Sequence, residues 1–247
     1  MTIPYQITLG EPCNEEEVKG IITATFAEID GSVNNWNPFS EVSALNRLAP
    51  GERMELSPEL AHFLEAVGEV VAETGGLFDP TIGKVQRLWR ERLEGGCCPT
   101  QEELEALRDS VGWERLHIEG LTAWKEGPIE LDLGGIAKGY AVDLIAERLS
   151  AAGYTRYLVC WGGELRGEGR PWKIATPDGR LILESGALAT SGDSEQYWET
   201  AEGTYTHICH PQTLQAIKVE CVGRSTSARA PTCLRADGLA TATYLNP

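Results

Sequence analysis

Apolar residues recur at helical spacing in four stretches of the chain, and each stretch carries its own start or stop signal. The first begins after Asn14, whose side chain suits an N-cap, with Glu17 completing a pattern like a capping box. Val18, Ile21, Ile22, Phe26 and Ile29 then share one face, up to Gly31. The second opens at Ser57 with Pro58 in the first helical position; Leu60, Phe63, Leu64, Val67, Val70 and Val71 form its stripe, which runs to Gly75 and Gly76. A third is capped by Thr100 with Glu103 and carries Leu104 and Leu107. The fourth extends from about Ile136 to Gly153, with Ala137, Ala141, Leu144, Ile145 and Leu149 facing inward.

Strand-like runs fill much of the remainder: YQITL near the amino terminus, then TRYLVCW, WKIAT, RLILES, THICH and AIKVECV, separated by glycine and proline turns. The helices come mostly first and the strands mostly later. That order predicts an α+β fold with a largely antiparallel sheet and flanking helices, not a doubly wound parallel sheet. With no repeat, low-complexity tract or linker, residues 1–247 read as a single domain.

The formal charge of -16, from 37 acidic against 21 basic residues, disfavours nucleic acid and anionic membrane surfaces as partners. An anionic ligand then requires a local cation or aimed backbone N–H groups. No stretch has the length and apolarity of a membrane span, and MTIPYQITLG lacks the features of a signal peptide. The seven cysteines are odd in number and scattered, so the expectation is reduced thiols in the cytoplasm.

Several islands combine glycine, acids and hydroxyl residues outside the periodic faces. GGLFDPTIG, residues 75–83, reads as a helix stop and an Asp-Pro turn, or as backbone and carboxylate lining a pocket. LDLGGIAKGYAVDLIAERL, residues 131–149, fails both the spaced-glycine dinucleotide fingerprint and the P-loop pattern. Its glycines next to a helix start, with Asp132 and Lys138, fit a phosphate site as well as they fit an ordinary turn. CWGGELRGEG and ATSGDSEQYW both read as hairpin connections. His207 and His210, three apart on an extended chain, face opposite ways and do not suit a two-histidine metal site. Asp237 and Thr241 are four apart, so a helix would put a carboxylate and a hydroxyl on one face, as magnesium favours. A helix N-cap at Asp237 is the competing reading.

In this order the islands FSEVSALNR, FDPTIG, LDLGGIAKGYAVD, WGGEL, TSGD, HICHP and ADGLAT resemble the ApbE family of FAD:protein FMN transferases, over residues 30–243. The resemblance implies FAD as substrate with Mg²⁺, and transfer of FMN to a Thr or Ser hydroxyl of a target flavoprotein through a phosphoester, with release of AMP. Carried over by position, it implies FAD contacts at Leu77, Phe78, Asp79, Asp132, Lys138 and Ile208, and a metal held by Asp237, Thr241 and the Gly135 carbonyl. Trp36 stands where the family often has an aromatic, to pack on a flavin or adenine ring; burial in the core is the alternative. His207 is the candidate acceptor of the hydroxyl proton.

The chain departs from the family pattern at His210, where an acid is usual, and at Leu214, where glycine is usual. Its amino-terminal segment is MTI, and it ends soon after ADGLATAT. Two other activities fit the same motifs: hydrolysis of FAD to FMN and AMP, or flavin binding without catalysis.

Overall fold

The computed structural model describes residues 3–176 and 179–246. In chain order the elements are β1 (Tyr5–Leu9), α1 (Glu15–Ser32), α2 (Glu41–Arg47), β2 (Arg53–Glu55), α3 (Pro58–Glu73), α4 (Gly83–Glu94), α5 (Gln101–Glu105), β3 (Leu116–Glu119) and β4 (Thr122–Lys125). They continue with α6 (Ala137–Ala151), β5 (Tyr157–Trp161), β6 (Glu164–Glu168), β7 (Trp172–Thr176), β8 (Gly179–Leu183), β9 (Gly186–Gly192), β10 (Tyr197–Thr200), β11 (Gly203–Cys209), β12 (Ala216–Val219), β13 (Ser225–Ala230) and α7 (Cys233–Leu245). The named strands pair antiparallel throughout. This is the mixed, mostly antiparallel α+β arrangement that the pattern implies.

The main sheet runs β1-β5-β6-β9-β13, and two three-stranded sheets, β2-β4-β3 and β10-β11-β12, lie apart from it. One apolar cluster joins α3 to the segment before α6 through Phe63, Leu64, Val67, Leu131, Leu133 and Ile136. Another joins α6 and α7 to the main sheet through Val142, Ile145, Leu149, Val159, Ala236 and Ala240. The first cluster buries the stripe of the second predicted helix and the second cluster that of the fourth, so helix α6 is packed from two sides.

Local capping signals are realised. Ser57 Oγ accepts from the Leu60 N–H at 3.1 Å, and Thr100 and Glu103 form the reciprocal capping box. At α1, Asn14 does accept from the Glu16 and Glu17 N–H groups. The return bond differs from expectation, because the Tyr154 hydroxyl intervenes: it accepts from Asn14 N–H at 3.1 Å and donates to Glu17 at 2.8 Å.

Other expectations are corrected. The TSG of TSGD ends strand β9, with Asp193 just beyond it, and the ELRGE part of the supposed connection is β6, leaving Gly162 and Gly163 as the β5-β6 turn. Helices α2, α4 and α7 join the four expected ones. Asp237 is not an N-cap: Thr232 caps α7, and Asp237 lies one turn inside it, buried.

The two departures near His210 have structural consequences. His210 Nδ1 accepts from the Gln212 N–H at 3.2 Å, which is the bond that a carboxylate makes in an Asx turn. Leu214 has φ +61°, the left-handed region that glycine occupies freely, yet its side chain is fully buried and its carbonyl accepts from Trp89 Nε1 at 2.8 Å. Leu214→Gly relieves about 1–2 kcal/mol of backbone strain but vacates a core site worth about 2–5 kcal/mol. Urea unfolding is therefore expected to show a less stable variant; a more stable one means that the side chain contributes little.

Candidate active site

The site forms where the segment leading into α6 meets α7. Asp143, on α6, accepts from the Cys233 and Leu234 N–H groups at 2.8 Å each, so one carboxylate supplements Thr232 in holding the amino end of α7. Arg166 donates to the same carboxylate at 2.7 Å. Burial pushes the Asp143 carboxyl up, and these hydrogen bonds and the arginine oppose it. This anchoring fixes the register of α7 against α6, and with it the positions of Asp237 and Thr241.

At the crossing itself Gly139 is required by space. A Cβ there would sit 2.7 Å from the Cys233 carbonyl carbon and 2.9 Å from Asp237 Cβ, closer than packed atoms allow. The close approach lets Gly139 N–H donate to Asp237 Oδ2 at 3.1 Å. One helical turn on, Thr241 Oγ1 lies 3.4 Å from where a Cβ on Gly135 would be, and it shares a 3.1 Å hydrogen bond with Ser191 of β9. Gly135, far in sequence from Asp237 and Thr241, thus lines one spot with them.

Their oxygen donors suit a hard cation such as Mg²⁺, which keeps water or phosphate in part of its shell. Among the described residues no three His, Cys, Asp or Glu side chains gather as a metal cluster. Acid is nevertheless in excess here. Glu164, only 1% exposed, pairs with Lys138, while its Oε2 is buried without a hydrogen-bond partner. Burial, reinforced by Asp237, pushes the Glu164 carboxyl up to about 7. Burial likewise raises Asp237, against the pull of Lys138. For Lys138 burial acts downward, but Asp237 and Glu164 outweigh it and hold the ammonium above its ordinary value.

The loop over residues 77–83 lies beside this spot. Its Phe78 ring is buried and comes within 3.4 Å of the Gly135 Cβ position, and the Pro80 carbonyl accepts from Asp132 N–H at 2.7 Å. Leu77 is partly buried beside it. The Asp79 carboxylate is engaged inside the protein, accepting from Thr81 N–H at 2.9 Å, from Thr81 Oγ1 at 2.6 Å and from Trp113 N–H at 3.2 Å. Asp132 Oδ1 accepts from Gly134 N–H at 2.9 Å, and burial raises its carboxyl despite nearby Arg90 and His207.

Strand β11 brings His207 and buried Ile208 to the same region. His207 Nδ1 lies 3.2 Å from the Gln196 carbonyl oxygen, which only accepts, so the proton sits on Nδ1 and Nε2 carries the lone pair. Burial pushes the His207 ring below its ordinary value, with Asp132 and the Gln196 bond pulling the other way. Trp36 is 64% exposed, which overturns burial in the core, and the Arg90 guanidinium covers its ring at 4.7 Å.

Sequence reasoning missed Glu164, Ser191 and Arg90. Glu164 was visible only as an acid in a glycine turn, and Arg90 only as one of several charges on α4. No described helix is long and apolar enough to cross a membrane, and the seven cysteines form no disulfide.

A family model described as the ApbE family matches residues 1–247. An FAD:protein FMN transferase of Chlamydia muridarum is 39% identical over 227 residues, covering 86% of this chain and 71% of that protein. Another from Vibrio cholerae is 35% identical, covering 87% and 69%. The crystal structure of the flavinyl transferase ApbE from Pseudomonas stutzeri, in its apo form, superposes with a TM-score of 0.84 at 29% identity, covering 99% of this chain and 84% of that one.

Proposed function

The chain belongs to the ApbE family, and on that premise we propose that it is an FAD:protein FMN transferase: with Mg²⁺ it moves FMN from FAD to a Thr or Ser hydroxyl of a target flavoprotein and releases AMP. The observation that carries the reading is the meeting of Gly135, Asp237 and Thr241 beside the start of α6. Residues 1–247 act as one transferase domain, and the unpaired cysteines favour the cytoplasm.

Asp237, Thr241 and the Gly135 carbonyl would hold Mg²⁺, whose charge there offsets that of the diphosphate. At the amino end of α6 the Ala137 N–H donates to the Leu133 carbonyl and the Gly139 N–H to Asp237, which leaves the Lys138 N–H and ammonium placed to bind diphosphate oxygens. That local field answers the problem posed by a net charge of -16. Leu77, Phe78, Ile208 and Trp36 supply apolar surface for the flavin and adenine rings, with Asp79 shaping its loop and Asp132 its turn. In the reaction the acceptor oxygen forms a bond to the FMN phosphorus as the bond from that phosphorus to the bridging oxygen breaks. AMP departs with that oxygen. His207 Nε2, the ring nitrogen with the free lone pair, takes the hydroxyl proton.

The test is incubation with FAD, Mg²⁺ and an acceptor flavoprotein. Flavin that stays on the acceptor after denaturation supports transfer; free FMN indicates hydrolysis, and unchanged FAD indicates binding alone. His207→Asn is expected to slow transfer about 10²–10⁴-fold while FAD binding persists. If the variant is as fast as wild type, His207 is not the base.

The depressed His207 value also sets a pH dependence. The ring is therefore mostly neutral at pH 6.5, so the decline of transfer by this base is expected to centre at a lower pH than for an ordinary histidine. Because the folded value lies below the unfolded one, the associated stability is present above about 6.5 and lost as pH falls through the folded value.

A further inference from the structure

Phe39 is 92% exposed, the most open large apolar residue on the molecule's described surface, and it stands three residues beyond Trp36. Isolated exposed apolar residues are common and need no explanation. Here the surroundings single it out, because Trp36 and Pro38 are exposed with it and the loop that presents them is tightly held. Asn34 Oδ1 accepts from Trp36 N–H and Asn37 Oδ1 from Phe39 N–H, each at 3.0 Å. The Asn34 and Asn37 amides donate in turn to Asp30 at 2.8 and 2.9 Å, and Ser40 Oγ donates to the Asn34 carbonyl at 2.7 Å. The ridge is therefore preorganised, and burying it on binding requires little further ordering of the backbone.

It is also joined to the site. Asn35 Oδ1 accepts from Leu133 N–H at 3.2 Å, immediately before Gly134, and Asn46 bonds both the N–H and carbonyl of Leu131, at 2.7 and 2.9 Å. Arg90 spans from the Trp36 ring toward Asp132 and His207. At the outer side Arg47 is exposed, and its guanidinium donates to the Pro38 carbonyl at 2.8 Å with no carboxylate paired to it among the described residues. A free cation beside an apolar ridge is a local exception in a chain of net charge -16.

We propose that this loop is the landing surface of the acceptor flavoprotein: Phe39 receives an apolar side chain of the acceptor segment, and Arg47 meets a carboxylate beside it. The inference rests on the transferase reading, in which a protein must approach the flavin phosphorus. Trp36 is accounted for by the flavin nucleotide, whereas Phe39 is not. A rigid exposed aromatic at the rim of a group-transfer site has the character of an interface anchor, and Arg47 supplies charge complementarity that the overall field opposes.

The probe is an acceptor flavoprotein that the wild-type enzyme labels with FAD and Mg²⁺. Phe39→Ala is expected to raise KM for that acceptor about tenfold, with kcat at saturating acceptor and FAD affinity unchanged. Phe39→Leu is expected to restore most of the loss. Arg47→Gln is expected to raise the same KM several-fold and to weaken its dependence on salt. An unchanged KM in Phe39→Ala overturns the proposal. So does an equal loss of FAD affinity, which makes Phe39 a flavin contact, or a change in the mass of the free enzyme, which makes the ridge a contact between copies of this chain. If the wild type binds FAD and labels no acceptor protein, the transferase reading fails and this inference falls with it; labelling that ignores Phe39 sinks the inference alone.

Discussion

Asp237→Asn is expected to lower transfer about 10³-fold while leaving the empty protein as stable as wild type, or more so. The loss follows because asparagine retains the shape but not the charge that would hold Mg²⁺ against the diphosphate; several kcal/mol of charge stabilisation correspond to that factor. The stability outcome follows from the buried acids. Burial raises the Asp237 carboxyl, so ionising it in the fold is costly, and Lys138 retains Glu164 as its partner when Asp237 becomes neutral. Turnover at limiting Mg²⁺ and urea unfolding at pH 8 check the two halves. A variant that is inactive because it unfolds easily would contradict the second half, and normal turnover would contradict the first.

Lys138→Met is expected to act in the other direction, destabilising the protein by about 3–5 kcal/mol at pH 8. Methionine fills the space of the side-chain stem, but Glu164 and Asp237 are then buried acids without their cation. In the wild type Glu164 already has a folded value of about 7, above its usual 4.5. The sign is that of a raised carboxyl: the stability it contributes is full below 4.5 and is lost as pH rises through about 7. Removing Lys138 extends that loss, so the deficit is expected to be large at pH 8 and to shrink toward pH 5, where the acids can take protons. Urea unfolding of both proteins at the two pH values measures it. Equal deficits at both would mean that packing, not charge, accounts for the lysine. FAD affinity of the same variant is expected to fall as well, since the ammonium also faces the diphosphate site.

These effects converge on contacts that span much of the chain, which decides what could be read from the sequence. Caps were legible because their partners lie two or three residues apart, as at Ser57 and Thr100. Even there, Asn14 showed the limit, since Tyr154 enters its capping bonds from 140 residues away. Helix α4 stayed hidden because Lys84, Arg87, Arg90 and Arg92 crowd a short stripe of Val85, Leu88, Trp89 and Leu93. Helix α7 was half visible: its buried face is largely alanine and glycine, whose small side chains give a weak apolar period but permit the close crossing at Gly139.

The candidate site followed the same division. Gly135, Asp237 and Thr241 were named through the resemblance of their motifs, and their proximity rests on one glycine and one anchoring aspartate that no local pattern reveals. Glu164 could not be distinguished from an ordinary turn acid, because what marks it is burial against Lys138 from a different element. Arg90 likewise acquires meaning only through Trp36, which sits far earlier in the chain on a separate loop. Trp36 itself could be core or ligand platform from its type alone, and exposure decided against the core.

The most direct measurement is a crystal of this protein soaked with FAD and Mn²⁺, with the anomalous signal locating the metal. A single strong peak about 2 Å from an Asp237 carboxylate oxygen, Thr241 Oγ1 and the Gly135 carbonyl, with the FAD diphosphate against it, is the expected result. A peak elsewhere, or FAD bound away from the start of α6, would contradict the assignment of the reaction to this site.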